Sequence, residues 1–152
     1  MNYLDANFAT AVLVNIRGQS DVAERFLRRN AQPLILSELA ELECQRALVM
    51  LTGKTDSENW TRLQGLVVDG VWKRDPLLWS AVSGKARQLI ESYGARLRAG
   101  TLDTLHVAQA LLSGCTWFLS FDTNSNARVL AASCRLQVFP KLSDSEQSRL
   151  AG

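Results

Sequence analysis

Histidine is almost missing from the 152-residue sequence, which has His106 and no other. A zinc site built on imidazoles, or a Ser-His-Asp triad with a spare ring, is hard to assemble from that stock. Cysteine is scarce as well. Cys44, Cys115 and Cys134 are odd in number and form no Cys-x-x-Cys pair, so they read as small apolar residues in a reducing compartment rather than as a disulfide framework. No apolar run reaches the ~20 residues that span a bilayer. The opening MNYLDANF carries neither a basic start nor a long apolar stretch, which argues against a secretory signal and makes the cytoplasm the default compartment. A glycine-rich phosphate loop of the Walker or dinucleotide type is absent. So is a large charge of one sign: 17 basic against 15 acidic side chains leave a net +2, and only the placement of the charges bears on a nucleic-acid partner.

What is present is the composition of an ordinary globule, 47% hydrophobic and 21% charged, at a length that suits one domain with a real core. Short apolar strands alternate with helix-length segments. Residues 2–5 read as a first strand and 7–16 as a helix. Residues 20–30 read as an amphipathic helix with Ser20 as N-cap. Residues 33–37 are continuously apolar up to Ser37 and predict a strand buried on both faces. A strong helix is predicted over 38–52, with Leu39, Leu42, Ala47, Met50 and Leu51 inward and Gly53 as its stop. Helix 56–68, a brief strand within 70–76, and one or two helices over 77–98 follow, the last with Leu78, Ala81, Ala86, Leu89, Ile90 and Tyr93 inward. Asp103 opens a helix to about Ser113, 117–120 is a strand, 123–133 a helix and 136–139 a last strand. Residues 1–140 read as the domain, and 141–152 as its polar C-terminal tail. Strands alternating with helices imply an α/β fold with a mainly parallel sheet covered on both faces. Ligands then sit beyond the C-terminal ends of the strands.

Acidic residues stand at those ends. Asp5 closes the first strand and Asp122 follows the strand at 117–120, though either also suits helix capping. Glu43 projects from the apolar side of its helix, where a carboxylate needs an opening, a partner or a metal; Glu41 points to the solvated face. Asp103 also has a capping alternative. Four acids converging in one cleft would raise one another's pKa values, and a divalent cation relieves that conflict. Oxygen-only ligands favour Mg²⁺ or Mn²⁺ over Zn²⁺.

These residues and their surroundings resemble the PIN-domain ribonucleases, in particular the VapC-like toxins of bacterial toxin–antitoxin pairs. The similarity lies in Tyr3-Leu4-Asp5-Ala6-Asn7, in Ser37-Glu38-Leu39-Ala40-Glu41-Leu42-Glu43, in Leu102-Asp103-Thr104-Leu105-His106-Val107-Ala108, and in Phe118-Leu119-Ser120-Phe121-Asp122. It extends over about residues 2–139, and the order of the four motifs is more specific than any one of them. The resemblance implies a three-layer α/β/α PIN-like fold and Mg²⁺- or Mn²⁺-dependent endonucleolytic hydrolysis of RNA. It assigns Asp5, Glu43, Asp103 and Asp122 to the metal, and Asn7 and Ser120 to a supporting shell or the substrate. The plainer readings are a polar helix residue for Asn7 and a helix cap for Ser120. His106, flanked by apolar residues inside its helix, reads as a packed core residue.

Two positions depart from the family pattern. Ala6 stands where Ser or Thr is frequent, and Thr123-Asn124-Ser125-Asn126 is neutral where some relatives carry a further acid, which leaves one-metal and two-metal chemistry both open. Arg46, three residues beyond Glu43, is a candidate phosphate contact. Lys73, Arg74, Lys85, Arg87, Arg96 and Arg98 are further ones, each also explicable as a surface charge. The resemblance further implies an antitoxin partner and a homodimer. The face of Val22, Phe26 and Leu27 either joins the dimer or covers the sheet. A catalytically inactive PIN-like module that binds RNA or protein is the alternative; it would have no need of all four acids.

Overall fold

Five short strands, β1 (Asn2–Leu4), β2 (Leu34–Ile35), β3 (Trp72–Lys73), β4 (Trp117–Leu119) and β5 (Gln137–Phe139), form one sheet in the order β3-β2-β1-β4-β5, with every pairing parallel. The computed structural model describes residues 1–152. Alternation along the central strands sends one row of side chains to each face. Tyr3, Ile35 and Phe118 are register partners and enter one core; Leu4, Leu36 and Leu119 enter the other.

Helices α1 (Ala6–Leu13), α2 (Ser20–Arg29), α3 (Glu38–Thr52) and α4 (Glu58–Val68) bury their apolar faces in the second core. Helices α5 (Trp79–Leu97), α6 (Thr101–Leu112) and α7 (Ala127–Ser133) bury theirs in the first. The result is a three-layer α/β/α architecture. No helix is long and apolar enough to cross a membrane.

The chain runs β1-β2-β3 toward one edge, then returns to place β4 on the other side of β1. The strand order therefore reverses between β1 and β4, and a crevice opens beyond the C-terminal ends of these two strands. Asp5 begins where β1 stops, and its N–H donates to the Leu119 carbonyl at 3.0 Å, so the two strand ends are tied together.

Several local expectations are corrected. Helix α1 ends at Leu13, because Val14 turns extended. The N-cap of α2 is Gln19; the Ser20 hydroxyl instead accepts from Ile16 N and donates to Val14 O, clipping the connection between α1 and α2. In α3 the buried stripe is Ala40, Cys44 and Leu48, while Leu42, Met50 and Leu51 are more than half exposed. Small residues win there because α3 packs on α1, against Ala6 and Thr10, where large side chains would hold the helices apart. Gly53 does end α3, in the left-handed conformation at φ 70° that glycine adopts without strain. In α5 the inward residues are Val82, Ala86, Leu89 and Leu97; Leu78, Ala81 and Ile90 face outward.

Residues 123–126 are loop, so α7 starts only at Ala127. Phe26 is buried against Phe8, Trp117 and Phe139, so the apolar face of α2 covers the sheet. The polar end of the chain forms α8 (Asp144–Ala151), opened by a Ser143/Glu146 capping box and packed on α7. Its anchor is an ion pair with both partners shut off from solvent: Arg128 Nε to Glu146 Oε2 at 2.8 Å.

Candidate metal centre

Each acidic side chain reaches the crevice from a different element. Asp5 is the N-cap of α1, with Oδ1 accepting from Ala6 N at 2.9 Å. Capping occupies only that oxygen. Oδ2 accepts from Ser120 Oγ at 2.7 Å and from Asn7 Nδ2 at 3.2 Å. Asn7 Oδ1 in turn accepts from Phe121 N at 2.7 Å, which fixes the chain leaving β4 against α1. Ser120 is fully buried, so its hydroxyl orients Asp5 from behind and does not face the opening.

Glu43 sits on the second turn of α3, half-buried on the flank of the Ala40-Cys44-Leu48 stripe. Glu41, expected in solvent, is instead clamped by Arg74, whose guanidinium makes two hydrogen bonds to it at 2.8 and 2.6 Å. Asp103 is not an N-cap; Gly100 holds that position, and Asp103 lies in the first turn of α6. Asp122 does not cap α7 either. Its Oδ1 accepts from Asn124 N and Ser125 N at 3.0 and 3.2 Å, closing a local turn after β4.

All four acids line one cleft of about 560 Å³, together with Asn7, Arg46 and His106. Of the basic residues considered in the sequence, Arg46 alone lines it. A larger concavity of about 690 Å³ lies elsewhere, among Trp117, Val138, Leu142 and Leu150, with Lys141 as its one ionisable group.

The electrostatics of the cleft are those of crowded like charges. The Asp103 pKa is raised, first by burial and then by the charges of Asp5 and Asp122. This is the conflict a divalent cation removes, and the donor set, mostly carboxylate oxygen, fits a hard cation.

His106 is buried, as its apolar flanks predict, at 3% exposed. Its ring nevertheless borders the acids. Nε2 contacts Glu43 Oε1 and lies 3.9 Å from Asp5 Oδ1. Nδ1 meets the Tyr3 hydroxyl at 2.7 Å, and that hydroxyl meets Ser37 Oγ at 2.8 Å. Burial disfavours the charged ring, but the hydrogen bond with Glu43 and the charges of Asp5, Glu43 and Asp103 outweigh it, and the His106 pKa is raised. A signal was available in the sequence: three residues after Asp103 on one helix is the same face. Arg128 was also missed. Buried in α7, it donates to the Ser120 carbonyl and to the Pro140 carbonyl, bracing the end of β4 from below.

The chain matches the PIN domain family over residues 3–130. Among solved structures it is similar to Mycobacterium tuberculosis VapC20, described as a sarcin–ricin-loop-cleaving toxin. The TM-score is 0.66 at 14% identity, over 82% of this chain and 92% of that one. Among curated proteins there is no sequence match.

Proposed function

The chain belongs to the PIN-domain family, and on that premise we propose that it is a divalent-metal-dependent endoribonuclease, acting as the toxin of a toxin–antitoxin pair. The observation that carries this reading is the convergence of Asp5, Glu43, Asp103 and Asp122, from four separate elements, on one cleft at the strand-order reversal. In this reading the four carboxylates hold Mg²⁺ or Mn²⁺. Bound there, the cation supplies activation of a water and stabilisation of negative charge on a phosphoryl oxygen.

The remaining work falls to the chain. Ser120 and Asn7 hold Asp5 Oδ2 in a fixed direction. The turn closed by Asp122 Oδ1 keeps that residue beside the same opening. Arg46, exposed on the rim, offers a phosphate contact that offsets the negative cleft as RNA approaches. The partners that follow are an RNA substrate, a cognate antitoxin that covers the cleft, and a second copy of the chain in a homodimer. The sarcin–ricin loop, which VapC20 cleaves, is the first defined RNA to try.

The test is cleavage of total cellular RNA and of that loop by purified protein with Mg²⁺, with Mn²⁺ and with EDTA, beside Asp5→Asn. Discrete cuts that need both metal and Asp5 are expected. A folded protein that cuts no RNA under any metal, or cuts equally well as Asp5→Asn, refutes the reading and favours a binding module.

A further inference from the structure

One donor atom from each of Asp5, Glu43 and His106 lies within 4.8 Å of the other two. Asp5 and Glu43 carry the charge; His106 brings the one nitrogen in the group. Its Nε2 points at both carboxylates, while Nδ1 is fixed from behind by Tyr3 and, through it, Ser37. Tyrosine and serine hydroxyls both donate and accept. Without an ion, Nε2 carries a proton toward Glu43. In the tautomer with its proton on Nδ1, the Tyr3 oxygen accepts that proton while the Tyr3 proton passes to Ser37, and Nε2 has a lone pair for an ion. That is how histidine is prepared as a ligand: one ring nitrogen held by an outer partner, the other turned to the ion. Any buried histidine must partner its ring nitrogens; here the partners of Nε2 are the two carboxylates that are also placed to hold the ion.

We propose that His106 Nε2 is a ligand to the cation held by Asp5 and Glu43, and that the centre consequently prefers Mn²⁺ and later first-row divalent ions to Mg²⁺. The proposal rests on reading the cleft as a metal centre and adds a ligand atom and an ion preference to it. Mg²⁺ is satisfied by oxygen and gives up water reluctantly. Imidazole adds little for Mg²⁺ but strengthens the hold on transition ions, increasingly from Mn²⁺ toward Ni²⁺.

The chain's single histidine makes the test unambiguous. Tag-free protein loaded with Mn²⁺ is examined by pulsed EPR, with natural-abundance and with ¹⁵N-labelled histidine. Spin-echo modulation from a directly bound ¹⁴N, replaced by the ¹⁵N pattern on labelling, is expected. Titrations of Mn²⁺ and Mg²⁺ into wild type and His106→Gln accompany it. The substitution should weaken Mn²⁺ by at least about tenfold, the lower end of what loss of even an outer partner costs, and leave Mg²⁺ little changed. Bound Mn²⁺ without nitrogen modulation overturns the proposal, as does equal Mn²⁺ affinity in His106→Gln or no Mn²⁺ binding at all. The spectrum comes from the unsubstituted chain, so it does not depend on the variant folding. RNA cleavage without a nitrogen signal removes the ligand and leaves the nuclease; a nitrogen signal without cleavage does the reverse.

Discussion

Removing the Glu146 carboxylate should strongly destabilise the fold without touching the cleft. Arg128 is 1% and Glu146 0% exposed, and the guanidinium is bound at both carboxylate oxygens, at 2.8 and 3.3 Å. Glu146 Oε1 also accepts from Ser143 N, completing the capping box of α8. Glu146→Ala leaves a buried guanidinium with carbonyl partners only. Breaking a buried pair from one side costs about 3–5 kcal/mol. A chain of this size loses about 2–4 °C of Tm per kcal/mol, so the midpoint should fall by about 6–20 °C. Replacing both partners, Arg128→Met with Glu146→Leu, removes the unpaired charge and should recover most of that loss.

The same pair sets an acid limb. Burial opposes the Glu146 charge, but the hydrogen bonds from Arg128 and Ser143 prevail and hold its pKa below the usual value. A carboxylate depressed in the folded state contributes stability above its unfolded pKa, about 4.3. That contribution is lost as pH falls from there through the folded value. Denaturant unfolding from pH 7 down to pH 3 should therefore show a steeper acid loss in wild type than in Glu146→Gln. A Glu146→Ala protein within about 1 kcal/mol of wild type would refute the reasoning, since a surface pair contributes only ~0–1 kcal/mol.

Asp103→Asn should raise the Tm of the metal-free protein at neutral pH, since it removes a carboxylate whose pKa is raised by burial and by Asp5 and Asp122. Wild type should gain stability as pH falls through that raised value toward the unfolded one, and the variant should not; the rise in its Tm on adding Mn²⁺ should also be smaller than in wild type, which scanning calorimetry checks. Arg46→Gln should weaken RNA binding with kcat unchanged, and should flatten the plot of log K against log salt by about 0.7–0.9 per lost phosphate contact; an unchanged slope removes Arg46 from the interface. Asn2→Val should stabilise the fold by about 1–3 kcal/mol, because the Asn2 side chain is fully buried beside Leu34 and Trp117 with no protein group bonded to its nitrogen or oxygen. Denaturant titration tests this, and a loss of stability would contradict it.

The parts of the fold that were legible in the sequence are those governed by one-dimensional rules. A strand buried on both faces must be continuously apolar, so 33–36 and 117–119 stood out, and a parallel sheet followed from the helices between strands. Carboxylates at the ends of such strands either cap the next helix or face the ligand crevice, so position marks Asp5 and Asp122 as candidates, and Asp5 does both. The misreadings are ones that needed knowledge of a neighbour. Counting large residues puts the wrong face of α3 inward, because α1 packs close and selects Ala40 and Cys44. Glu146 lies 18 positions from Arg128, and each reads alone as a solvated charge; only docking of α8 on α7 makes them a buried pair. His106 shows the same limit most sharply. Apolar flanks correctly predict burial, but burial of the ring says nothing about where its edge emerges. That edge emerges among Asp5 and Glu43, with Tyr3 holding the far nitrogen. A buried polar side chain at one turn's distance from a candidate ligand is therefore better treated as part of the site than as filling.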